Sequence, residues 1–118
     1  MSSEEWYDVC FLSQLRAECG VAAVLADGPV AIFNVGDPGQ IFAVGHIDPR
    51  TQTPTIDRGL VGSADGEPIV VSPLLKDRFS LVTGECLNAD LPPLATYEVS
   101  VEQERVHVRS NVTAQKQP

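Results

Sequence analysis

Apolar residues along this chain come in short runs, each closed by Gly, Pro, Asp or Ser. Runs rich in Val, Ile, Phe and Tyr at 6–10, 20–26, 29–35, 40–46, 58–62, 68–72, 78–82, 97–101 and 105–108 predict β-strands. The punctuation between them is turn chemistry. Asp27-Gly28 and Asp65-Gly66 are hairpin signals. Gly36-Asp37-Pro38-Gly39 and Thr83-Gly84 mark further turns. Residues 97–101 and 105–108 alternate inward and outward as a last hairpin, with His107 facing solvent between Val106 and Val108. Leu12 to Glu18 has room for a short helical turn and no more. The expected fold is therefore all-β, a small antiparallel sandwich or barrel. Two polar, Pro-containing segments, 47–57 and 72–78, interrupt the strands as excursion loops. A rigid β-frame carries function on such loops.

Length and composition narrow the picture. The 118 residues, 43% of them hydrophobic, fit one domain with a true core. Its ordered part is expected over about 5–109, with 1–4 loose and 110–118 a frayed tail. A net charge of −8 argues against nucleic acid and against an anionic membrane surface. No apolar run reaches membrane-spanning length, and the start Met-Ser-Ser-Glu-Glu-Trp has no signal-peptide character, so the expected location is cytoplasmic. Cys10, Cys19 and Cys86 are an odd number in a chain expected to be cytosolic, which does not make a disulfide framework; Cys10 and Cys19 are not spaced as a metal knuckle, and each is read as a small buried hydrophobe.

Candidate chemistry is sparse. His46, Asp48 and Asp57 offer nitrogen and oxygen to a metal. The competing reading has His46 closing a strand and Asp48 capping the turn before Pro49, and it is preferred. Ser72, His46 and Asp48 have the residue types of a nucleophilic triad. Ser72 precedes Pro73, however, and reads as an extended loop-opening residue. No Gly-rich phosphate cradle occurs. Asn111-Val112-Thr113 matches a glycosylation triplet in a segment not expected to meet that machinery.

The most informative stretch is Ser72-Pro73-Leu74-Leu75-Lys76-Asp77-Arg78-Phe79. It resembles the second half of a Rieske iron–sulfur loop, Cys-x-x-His-Gly-x-x-Phe, in which two Cys hold one iron and two His the other. Pro73 and Phe79 are in place. Ser72 stands for the second Cys, Leu75 for the second His and Lys76 for the Gly. The first pair, Cys-x-His, falls on Asp48 and Arg50. None of the four positions is a cluster ligand.

Further segments carry a closer resemblance. They are Ala31-Ile32-Phe33, Ile47-Asp48-Pro49, Arg58-Gly59-Leu60-Val61-Gly62, Glu67 to Leu74, Phe79-Ser80-Leu81 and Thr83-Gly84-Glu85-Cys86-Leu87. In their order and spacing the chain resembles the small subunit of assimilatory NAD(P)H-dependent nitrite reductase, a Rieske-like domain lacking the iron–sulfur ligands. The resemblance implies that the two excursion loops lie at one end of the domain, and that the chain is a cytosolic, non-catalytic subunit of an enzyme that reduces nitrite to ammonia. It implies no cofactor and no catalytic or metal residue in this chain, with FAD, an iron–sulfur cluster and sirohaem on the large subunit. A free-standing interaction module and a Rieske ferredoxin electron carrier are the alternatives; the missing ligands speak against the second.

Without a cluster, something else must hold the two loops. Arg50, Arg58, Lys76 and Arg78 are four of only eight basic residues, and Asp48, Asp57 and Asp77 lie in the same segments. An Arg–carboxylate fork between the loops is one expectation, with Asp48 and Arg78 as the pair to test; the other is that these charges only solvate the loop rim. Leu74 and Leu75 are expected either to fill the space with hydrocarbon or, if exposed, to form with Lys76 and Arg78 a docking face for the large subunit.

Overall fold

The structure is a computed structural model and describes residues 6–16, 19–25, 28–35 and 40–110. The turn at 36–39, Asp27, the first four residues, the tail beyond Ser110 and the Asn111 triplet lie outside these residues. Among the described residues nine strands run as β1 Tyr7–Phe11, β2 Gly20–Leu25, β3 Gly28–Val35, β4 Gln40–Gly45, β5 Leu60–Ala64, β6 Glu67–Val71, β7 Arg78–Ser80, β8 Thr96–Glu102 and β9 Arg105–Ser110. They pair antiparallel into a six-stranded sheet, β1-β9-β8-β4-β3-β2, and a three-stranded sheet, β5-β6-β7. No helix among the described residues is long and apolar enough to cross a membrane.

Strand β3 explains how the two sheets come together. Its run Val30-Ala31-Ile32-Phe33 is fully buried at every position. A strand apolar on both faces needs cover on both. Val30 and Ile32 point into one core with Cys10, Leu25, Ala43, Val106 and Val108. Those partners come from both edges of the larger sheet, so that sheet curls round a single apolar centre as a barrel does. Ala31 and Phe33 point the other way, into a second core with Val44, Ile56, Val70, Phe79, Leu81 and Leu94. That core joins the small sheet to the back of the large one.

The turn chemistry holds where it is described. Asp65 and Gly66 take positive φ values of 53° and 84°, the mirror-image turn that matches strand twist. Gln103 and Glu104 do the same between β8 and β9, at 53° and 68°. Other boundaries move. The strand expected at 58–62 is displaced to Leu60–Ala64, because buried Ile56 anchors a 3-10 turn over Ile56–Arg58. Strand β7 stops at Ser80, whose Oγ accepts the N–H groups of Val82 (3.0 Å) and Thr83 (3.1 Å) and turns the chain. The helical turn near the N-terminus covers only Leu12–Gln14. His107 is half-buried between buried Val106 and Val108. Cys10 is buried, which pushes its thiol pKa up. Cys19 is exposed and Cys86 half-buried, so neither is the fully buried hydrophobe expected.

Phe33 and Phe79 are the largest fully buried side chains, and both lie in the second core. Phe33→Ala is expected to lower the unfolding free energy by about 3–5 kcal/mol, read as a lower urea midpoint at unchanged slope.

Candidate functional site

The two excursion loops leave β4 and β6 at the same end and meet. In the first, Asp48 donates its N–H to Thr53 O (2.8 Å), and Gln52 returns its own to Asp48 O (2.7 Å). In the second, Ser72 donates its N–H to Asp77 O (2.8 Å), and Lys76 donates its own to Ser72 O (3.1 Å). Lys76 takes a left-handed conformation, φ 65°, where a Gly is the easier fit. Each loop is thus closed on itself before it touches the other.

Two contacts bind loop to loop. The Ser72 hydroxyl donates to Asp48 Oδ2, and both residues are completely buried. Asp48 Oδ1 also accepts the backbone N–H of Arg50 at 2.8 Å. The Asp48 carboxyl therefore has a partner on each oxygen, as a buried polar group requires. The second contact is a fork. Arg50 donates through Nε to Asp77 Oδ2 (2.6 Å) and through Nη2 to Asp77 Oδ1 (3.0 Å). Asp77 is 3% exposed at its side chain and Arg50 40%, so the carboxylate is inside and the guanidinium covers it. Asn88 Nδ2 adds a third donor to Asp77 at 3.2 Å. The Arg50 bond foremost, then that of Asn88, holds the Asp77 carboxyl below the usual carboxylate range, against the opposing effect of burial. Asp77 in turn holds the Arg50 guanidinium still more firmly protonated.

The expected fork is present with different partners. Asp48 takes Ser72 and not Arg78. Arg78 is exposed, and its backbone N–H goes to Asn88 Oδ1 at 2.7 Å. Leu74 and Leu75 do not fill the space between the loops; they are 49% and 55% exposed. Asn88 was not anticipated. It lies in a third segment, and only its long-range bonds to both ends of the 77–78 step reveal it. The third segment is fixed by Gly84, whose φ is 83° and where a Cβ would lie 2.1 Å from Leu94 O.

The other candidates dissolve. His46 Nδ1 accepts the Asp57 N–H at 3.3 Å, and its Nε2 lies 3.4 Å from Asp57 Oδ1. Both ring nitrogens face Asp57, which fixes the Nε2–H tautomer and leaves none for Ser72. Ser72 donates its hydroxyl hydrogen bond to Asp48 and not to His46, so no triad assembles. Among the described residues no three His, Cys, Asp or Glu side chains lie together as a metal group.

The Rieske ligand positions can now be tested as a cradle. A [2Fe–2S] cluster of that kind needs two thiolates and two imidazoles. Here the two Cys positions, Asp48 and Ser72, are hydrogen-bonded to each other. The two His positions hold Arg50, a cation already forked to Asp77, and Leu75, which has no lone pair and faces water. These side chains do not fit the cluster.

Two outcomes follow from the geometry. Removing the hydroxyl with Ser72→Ala strands a buried carboxyl oxygen and is expected to cost about 1–3 kcal/mol. In double-mutant cycles read by urea denaturation, Asp48 and Ser72 are expected to couple, whereas Asp48 and Arg78 do not. The second outcome concerns pH. A carboxyl whose folded pKa is depressed stabilises the fold above its unfolded value of about 3.9, and that stabilisation fades as pH falls toward the folded value. Wild type is therefore expected to exceed Asp77→Asn in melting temperature at pH 7, with the gap closing below about pH 4.

Residues 5–109 match the family model described as Rieske-like [2Fe-2S] domain. The NADH nitrite reductase small subunit of Escherichia coli K12 is 37% identical over 105 residues, spanning 89% of this chain and 97% of that protein. The NMR structure of the E. coli protein NirD superposes with a TM-score of 0.82 at 36% identity, covering 91% of this chain and 97% of that one. A nitrite reductase [NAD(P)H] large subunit of Klebsiella oxytoca is 33% identical over 108 residues, which are 92% of this chain and 11% of that protein. With the fold and the matched length agreeing, the chain belongs to the family of NADH nitrite reductase small subunits, built on a Rieske-like domain.

Proposed function

We propose that this chain is the non-catalytic small subunit of an NAD(P)H-dependent nitrite reductase and acts on a large subunit that holds the redox cofactors. The observation that carries this is identity across nearly the whole length of a named small subunit. The loop geometry supports the non-catalytic part. Asp48, Arg50, Ser72 and Leu75 are engaged with protein or face water, and none presents a nucleophile, a free base or a soft metal ligand. The reduction of nitrite to ammonia, with its six electrons, then belongs to FAD, an iron–sulfur cluster and sirohaem on the large chain.

The Klebsiella relative supports the pairing. There a segment like this chain is part of a polypeptide named as the large subunit. Covalent joining gives two modules a high effective concentration, which is useful only if they work together. A separate chain must reach the same state by affinity. The domain acts as one unit over about 5–109, and its proposed place is the cytoplasm, where NAD(P)H is available.

Capture of the tagged chain from native extract tests this. A large polypeptide with flavin and sirohaem absorbance is expected to come with it, while the chain alone is colourless and free of inorganic sulfide. Stoichiometric iron and sulfide in the isolated chain would instead make it an electron carrier.

A further inference from the structure

We propose that the chain seats on its large subunit through the outer rim of the small sheet and the loop beside it, into an apolar recess edged with carboxylates. This rests on the subunit reading above.

Exposed apolar side chains occur in several places, but most have a reason. Trp6 and Phe11 lie beneath the guanidinium groups of Arg109 and Arg105, at 4.4 and 4.1 Å. Val24 and Val101 are single residues on strands. At the loop end the pattern differs. Leu60, Val71 and Arg78 form one cross-strand row of β5, β6 and β7 on the outward face of the small sheet. The row Val61, Val70 and Phe79 faces the core instead. Leu60 is 71% exposed at one end of the outward row. Leu87, 41% exposed, donates its N–H to Arg78 O (2.7 Å) at the other. Directly after Val71 comes the loop with Leu74 and Leu75 in water.

That loop is rigid. It is closed by its own backbone bonds, tied to the first loop through Ser72 and Asp77, and braced by Asn88. A segment ordered this firmly loses little freedom when it docks, so its leucines are pre-set anchors.

Charge identifies the occupant. The chain carries −8, yet Lys76 and Arg78 stand exposed beside these leucines with no ion pair among the described residues. A partner with carboxylates round an apolar recess meets attraction at this rim and repulsion over most of the remaining surface. It is steered to one orientation, with the effect read mainly in association rate.

The test measures binding of the whole chain to its purified large subunit by surface plasmon resonance at several salt concentrations. Leu74→Asp/Leu75→Asp is expected to raise Kd at least 30-fold, chiefly through dissociation. Lys76→Glu/Arg78→Glu is expected to slow association about tenfold and to flatten its salt dependence. The control is Val101→Asp. Val44 pairs with Thr96 at the loop end of β8, so Val101 lies roughly 17 Å along the strand from it. Its binding is expected to match wild type. Circular dichroism and melting temperature establish that each variant is folded. A photo-crosslinker at position 75 is expected to capture the large chain, and one at position 101 is not. If wild type binds and the rim variants bind equally well, or the crosslinker at 101 alone captures, the surface is overturned and the subunit reading stands. If wild type does not bind at all, the subunit reading falls and this surface with it.

Discussion

A carboxyl group with no exposure to water has to be met by donors, and Asp48 is such a group. Its two donors decide the loop end of the molecule. The Ser72 hydroxyl comes from the far loop, so the loops must touch. The Arg50 N–H comes from two residues on, so the chain turns tightly over Asp48. That turn brings the Arg50 side chain toward the second loop, where Asp77 lies buried and needs a cation. Ser72 is held in place by the same closure, since its own N–H and C=O are taken by Asp77 and Lys76. The fork and the hydroxyl bond are therefore one arrangement. Loss of either leaves a buried carboxyl short of a partner.

This arrangement works only because the strands deliver the loops side by side. Strand β3 has apolar residues on both faces and draws a sheet onto each. The small sheet settles against the back of β3 and β4 through Val70, Phe79 and Ile56. The ends of β4 and β6 then point the same way. Gly59 and Gly20 permit close approaches here: a Cβ at Gly59 would lie 2.5 Å from Val71 O, and one at Gly20 would lie 2.3 Å from Asp57 O. Packing sets the position of the loops, and the polar contacts only join what packing has already brought near.

These two layers of cause were unequally legible in the sequence. Strand placement was readable because it rests on local signals: alternation in β8 and β9, the fully apolar stretch of β3, and Asp65-Gly66 with its mirror-image turn. Boundaries failed where a tertiary contact intervened, as with Ile56 and the start of β5. The loop pairing was half readable. Charges of both signs in the two loops announced a fork, but Arg50, Arg58, Lys76 and Arg78 were equivalent as letters. The choice of Arg50 depends on an Asp48–Ser72 bond across 24 positions, and on Asn88, which sits outside both loops. Nothing local carries that information. Leu74 and Leu75 posed the same difficulty, since a leucine in a loop reads equally as filler or as anchor until its exposure is known.

What the loop end does follows from how it is held. Loops bridged by a metal cluster depend on that cluster for their shape, and their closure is coupled to ligand protonation and metal loading. Loops joined by a hydroxyl bond and an Arg–carboxylate fork depend on neither. Their closure stays the same whether electrons pass nearby or not, and it weakens only in acid, where Asp77 takes up a proton. A domain held this way keeps its loops closed through protein contacts alone. It offers a defined shape, with the exposed leucines on it beside Lys76 and Arg78, which have no ion pair among the described residues.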